Sequence, residues 1–196
     1  MLSISFAQTV WEWRNPVPPG NDLNEVTYGN NQFIAVGEGG TIITSPDGET
    51  WRERYCGKIS DLRSVTYSNN QFIVVGDKGI ILTSPDGVTW TERSTGTTNH
   101  LRSVIYGNNQ FITVGWSGTI LTSPDGVTWA ERSYGKKGDL ESVTYANNQF
   151  IAVGSYDIIL TSPDGVTWTE RSSTGTGKFI NSVTYGNNQL VAVGSF

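Results

Sequence analysis

The sequence predicts an all-β chain built from small sheets arranged radially, and three observations carry that prediction. The motif Ser-Pro-Asp-Gly-x-Thr-Trp ends at Trp51, Trp90, Trp129 and Trp168, so it recurs every 39 residues. A second motif, Val-x-Tyr-x-Asn-Asn-Gln, places Tyr28, Tyr67, Tyr106 and Tyr145 at the same period; Tyr185 comes one residue late because the stretch around Thr174-Gly175-Thr176-Gly177 is longer. Between the motifs lie short β-branched and aromatic runs bounded by Gly, Asn or Pro-Asp turns. Five such repeats fill nearly all of the 196 residues, and the chain is read as a single domain over 1–196.

The third repeat shows the pattern of one unit. Ser103-Val104-Ile105-Tyr106 forms strand A and stops at Gly107-Asn108-Asn109, where asparagine tolerates the positive φ of a tight hairpin. Strand B, Gln110-Phe111-Ile112-Thr113-Val114, breaks at Gly115. Thr119-Ile120-Leu121-Thr122 is strand C, closed by the Ser123-Pro124-Asp125-Gly126 turn, and Thr128-Trp129-Ala130-Glu131-Arg132 is strand D. Strand B is apolar at consecutive positions, Phe33-Ile34-Ala35-Val36 and Phe72-Ile73-Val74-Val75 in the first two repeats. A sheet with one wet face would alternate, so both faces of each sheet must be covered. Four-stranded antiparallel sheets, each sandwiched between neighbours, make a five-bladed β-propeller.

The two ends of the sequence are expected to complete one blade together. Val183–Tyr185 and Leu190–Val193 supply strands A and B of the fifth unit, and Thr9–Arg14 aligns with strand D because Trp11 lies 40 residues before Trp51. Leu2–Phe6 would then be strand C, and the ring would close without free sheet edges. Residues 1–8 also read as the end of a secretory signal, with Ser5 and Ala7 at cleavage-site positions, which makes a secreted or cell-surface protein the expectation.

Composition narrows the function. With 36% hydrophobic and 11% aromatic residues the chain is too apolar for a disordered segment, yet no run reaches the roughly 18–20 apolar residues that cross a bilayer. A net charge of −5 without a basic stripe speaks against nucleic acid and anionic lipid as partners. A single cysteine, Cys56, and a single histidine, His100, leave neither an internal disulfide nor a Cys/His zinc set. No cofactor, no metal and a monomeric state are expected.

The Ser-Pro-Asp-Gly-x-Thr-Trp turns resemble the Asp-box of the BNR repeat family, found in sialidases, sortilin-type receptors and photosystem assembly factors. The box is one residue shorter than the family's usual form, and the N-terminal copy, Ser5 to Trp11, lacks its Asp and Gly. The resemblance implies a peripheral structural role for Ser45, Asp47 and Trp51, Ser84, Asp86 and Trp90, Ser123, Asp125 and Trp129, and Ser162, Asp164 and Trp168. The residues themselves point the same way. A short carboxylate in a hairpin accepts backbone N–H bonds, whereas one carboxylate per loop falls short of what calcium needs. A sialidase-type glycosidase is the nearest enzyme, but Arg54, Arg93, Arg132 and Arg171 recur at the repeat period and so lie on different blades, unable to converge on one substrate carboxylate.

The repeats differ from one another where B joins C and where D joins the next A. Glu38, Asp77, Trp116 and Ser155 follow the glycine of the B–C loop, with Tyr156 beside the last. In the D–A loop Asp61, His100 and Asp139 precede strand A, and Arg63, Arg102 and Glu141 sit two residues before its valine. With strand A innermost, these positions ring the mouth of a central channel, where a rigid scaffold can carry a binding site. Unconstrained drift of exposed loops explains such variation as well. Trp116 is the strongest pointer to a ligand face, and a non-enzymatic binding or scaffold module for carbohydrate or protein is the function expected. A sialidase-type hydrolase and a recently amplified or engineered repeat chain with no evolved ligand are the alternatives.

Overall fold

The structure, a computed structural model, describes residues 20–171 and 177–195. Its strands follow the repeat. The first sheet holds β1 (Leu23–Gly29), β2 (Gln32–Gly37), β3 (Ile42–Ser45) and β4 (Arg52–Arg54). The second holds β5 (Leu62–Ser68), β6 (Gln71–Gly76), β7 (Ile81–Ser84) and β8 (Thr91–Arg93), and the third β9 (Leu101–Gly107), β10 (Gln110–Gly115), β11 (Ile120–Ser123) and β12 (Ala130–Arg132). β13 (Leu140–Ala146), β14 (Gln149–Gly154), β15 (Ile159–Ser162) and β16 (Thr169–Arg171) form the fourth, and β17 (Phe179–Gly186) pairs with β18 (Gln189–Ser195) in a fifth sheet that is two-stranded among the described residues. All pairings are antiparallel, and sequence neighbours are sheet neighbours throughout. Strands C and D assigned to residues 2–14 lie outside the described residues.

Each hairpin closes as its sequence dictates. Both asparagines of every A–B turn take positive φ, as at Asn108 (45°) and Asn109 (59°), the two-residue geometry whose twist matches the flanking strands. The fourth strand of each four-stranded sheet begins later than the β-propensity of its residues suggests, at Ala130 rather than Thr128 in the third. The Asp125 carboxylate is the reason: its Oδ1 accepts the amides of Val127 and Thr128 at 2.8 and 2.9 Å and keeps both residues in the turn.

Side chains of the second strand alternate between two neighbouring sheets. Ile34 and Val36 of β2, with Ile42 of β3, pack against Leu62, Val65, Phe72, Val74 and Leu82 of the second sheet. The same layers recur between the second and third sheets and between the third and fourth. Phe72, Phe111 and Phe150 are fully buried at these junctions, and Trp90, Trp129 and Trp168 pack against their outer ends. Burying one such aromatic contributes on the order of 2–3 kcal/mol, so cohesion resides between sheets rather than within them. First strands also pack in series, β1 on β5, β5 on β9, β9 on β13 and β13 on β17, whereas no comparable packing joins β17 to β1.

Candidate functional site

Every first strand carries one irregularity in the same place. Pairing skips a residue between Leu23 and Glu25, and likewise at Arg63, Arg102, Glu141 and Asn181, so each is the extra residue of a β-bulge. A bulge re-aims a side chain that would otherwise follow the alternation of the strand. The five bulge residues, Asn24, Arg63, Arg102, Glu141 and Asn181, together line a cavity of about 460 Å³. The sequence had placed this position at a channel mouth; the bulge that turns it toward the shared cavity leaves no mark in composition, beyond tolerance of Asn, Arg and Glu at one site.

Around this cavity the second, third and fourth sheets share a continuous polar network. Arg63 donates to both carboxylate oxygens of Asp77, Nε to Oδ1 at 3.0 Å and Nη2 to Oδ2 at 2.8 Å, and its Nη2 also reaches Asp61 Oδ2 at 2.9 Å. His100 Nδ1 lies 2.9 Å from Asp77 Oδ1. Burial pushes the Asp77 carboxyl upward, but hydrogen bonds from Arg63 and His100 outweigh it, so its pKa falls below the ordinary value. The imidazole of His100 packs on Trp116 at a tilt of 46° with ring centroids 4.6 Å apart, and the Arg102 guanidinium lies 5.8 Å from the Trp116 ring. Glu141 ties the far end, accepting from Arg102 Nε at 2.8 Å and from Trp116 Nε1 at 3.2 Å. The indole is thus held at its Nε1 edge by Glu141 and packed by His100 and Arg102, yet remains 39% exposed.

The remaining predicted residues divide. Asp61 and Asp139 serve the preceding sheet: their Oδ1 atoms accept the amides of Gly39 at 3.0 Å and Ser117 at 2.8 Å, which hold the 3-10 turns at Glu38–Gly40 and Trp116–Gly118. Glu38 is exposed at the rim. Ser155, which occupies the position of Trp116 in the fourth repeat, is buried and exchanges hydrogen bonds with the Asp139 backbone, so that position is not uniformly solvent-facing. Tyr156 stands apart from the network, 72% exposed and 6.0 Å from the Phe179 ring, with φ of 55° at a bulky side chain. Phe179 and the bulge asparagines Asn24 and Asn181 complete the rim.

The four Ser-Pro-Asp-Gly turns lie away from the cavity and are satisfied internally. Asp47 Oδ1 accepts the amides of Thr50 at 2.7 Å and Glu49 at 2.8 Å, while Ser45 Oγ accepts from Gly48 N at 2.8 Å. Those backbone donors hold the Asp47 carboxyl at about 2, below its ordinary 3.8, and Asp86, Asp125 and Asp164 are lowered by the same bonds. Arg54, Arg93, Arg132 and Arg171 each donate Nε to a threonine of the adjacent strand in their own sheet, Thr44, Thr83, Thr122 and Thr161. They sit on four separate outer strands, the arrangement that excludes a shared arginine grip. Among the described residues no group of three or more His, Cys, Asp and Glu side chains is placed to hold a metal ion.

No family model and no curated protein sequence matches the chain. Solved structures do. YCF48 bound to D1 peptide superposes with a TM-score of 0.73 at 18% identity, over 91% of this chain and 62% of that one. YCF48 from Cyanidioschyzon merolae gives 0.66 at 24% identity, over 89% and 63%. Virginiamycin B lyase from Staphylococcus aureus gives 0.79 at 12% identity, over 92% and 72%. The chain therefore spans about three-fifths of the length of the YCF48 structures. At these identities what is shared is architecture, and that architecture is the β-propeller.

Proposed function

We propose that the chain is a five-bladed, Asp-box-type propeller that acts as a non-enzymatic binding module, and that the mouth of its channel takes an extended polypeptide carrying an acidic group. The observation that carries this reading is the partly exposed indole of Trp116, packed by His100 and Arg102, with Arg102 also lining the cavity of the five bulge residues. A rigid aromatic with basic neighbours is the composition of a protein hot spot. Among the described residues the Arg102 hydrogen bond is made through Nε, to Glu141, leaving the Nη atoms for a carboxylate or carbonyl of a ligand. YCF48, one of the similar structures, is described as bound to a D1 peptide, which supports a polypeptide as the ligand class. A carbohydrate is the second reading, favoured by the exposed Tyr156.

Catalysis has little to work with at this mouth. His100 is engaged by Asp77 and packed on Trp116, and among the described residues no serine hydroxyl or cysteine thiol bonds to it. Selection from a displayed library of random peptides, run beside a glycan array, tests the reading. Enrichment of peptides that contain Asp or Glu is expected; binding of glycans alone, or turnover of a chromogenic glycoside, would overturn it.

A further inference from the structure

The first and fifth sheets each present a face that every other sheet keeps covered. At the junction of the fourth and fifth sheets, Ile151 and Val153 pack against Ile180, Val183 and Tyr185. The first sheet repeats the second half of that interface, with Leu23, Val26 and Tyr28, and the fifth repeats the first half, with Val191 and Val193. All five of these side chains are between 41% and 60% exposed. Beside them a cavity of about 330 Å³ opens between Leu23, Glu25, Val26, Ala35 and Trp51, which in the second sheet is filled by the preceding sheet.

The polar fittings of the interior junctions are also present, unmatched, on these two faces. Val104, Val143 and Val183 donate their amides to Ser64, Ser103 and Ser142 of the preceding sheet at 3.0, 3.3 and 3.3 Å. The next members of that series are the exposed Ser182 and the amide of Val26. Gln32, Gln71 and Gln110 donate Nε2 to the carbonyls of Asp86, Asp125 and Asp164 in the following sheet, between 2.7 and 2.8 Å. Gln189 and the Asp47 carbonyl are the corresponding pair. A Cβ on Gly29 would stand 2.1 Å from the Tyr67 ring, so that glycine seats a tyrosine; its counterpart Gly186 has nothing within 4 Å, and Tyr28 is the exposed tyrosine of matching position.

We propose that these two faces join the chain head to tail with a second copy of itself, the fifth sheet of one molecule covering the first sheet of another. A second copy is favoured over closure within one chain because, among the described residues, β17 and β1 share no packing like that by which each of β5, β9, β13 and β17 rests on the preceding first strand. Heterologous contact of this kind closes into a ring or continues as a filament according to the angle between copies.

Sedimentation velocity of the 196-residue chain tests the proposal, together with Val26→Asp and Val193→Asp, which damage one face each. The unaltered chain is expected to shift from monomer to dimer or larger species with rising concentration. Each variant alone should associate at least tenfold more weakly, and an equimolar mixture should form a 1:1 pair, because each supplies the face that the other lacks. Circular dichroism melts verify that both variants fold, as both positions are solvent-exposed. A strictly monomeric chain at all concentrations, the outcome expected of a ring closed by its own residues, would overturn the proposal, and so would a mixture that fails to pair.

Discussion

At the scale of single residues, the sequence separated positions under one demand from positions under two. Ser123 illustrates the first kind: fully buried, it accepts the Gly126 amide at 2.8 Å and donates to Asp125. Ser123→Ala should cost about 1–3 kcal/mol, the penalty for orphaning a buried N–H, in urea-induced unfolding. Asp125→Ala should cost less, because that carboxylate is exposed and solvent replaces part of what it provides. The carboxylates also set an acid limit. Their pKa values are lowered in the fold, so the stability they contribute is complete above the ordinary 3.8 and is lost as pH falls toward about 2. The melting temperature should fall between pH 4 and pH 2, and a flat profile there would contradict the turn chemistry. Asp61 and Asp139 are of the second kind. Each was legible as a polar residue at the channel mouth, but its bond to the preceding 3-10 turn depends on a neighbour 22 residues away that no local pattern encodes.

At the scale of elements, turn chemistry was the most readable layer. Asn109 sits in the left-handed region with φ of 59°, where an ordinary side chain is penalised. Asn109→Ala should therefore destabilise by about 1 kcal/mol and Asn109→Gly should be neutral or slightly stabilising, as read by thermal melts of the two variants. Strand identity was equally legible, since consecutive apolar residues in β6, β10 and β14 require cover on both faces and are in fact buried on both. The bulge was not. It arises because Gly115 pairs with Leu101 while Val114 pairs with Ser103, a register that the 39-residue period repeats without announcing. That one inserted residue per sheet turns a strand-edge position into the lining of a shared cavity.

At the scale of the whole molecule, the periodicity determines how sheets stack, and stacking buries the phenylalanine and isoleucine layers that hold them. It does not determine what covers the first and last faces, because the rule that pairs one sheet with the next is the same whether that sheet belongs to this chain or another. Nor does it determine the polar cluster, which is built from departures from the repeat: Asp77, His100, Trp116, Arg102 and Glu141 come from three repeats and are joined only by the fold. We propose this cluster as a binding platform with Trp116 as its anchor. The most direct measurement is the affinity of Trp116→Ser for a selected acidic peptide, taken at a folded fraction matched to the unaltered chain by chemical denaturation. A stability cost under about 1.5 kcal/mol is expected, below the roughly 3–5 kcal/mol of a core aromatic truncation, with affinity reduced at least tenfold. Unchanged affinity, or unfolding caused by the loss of this one indole, would contradict it.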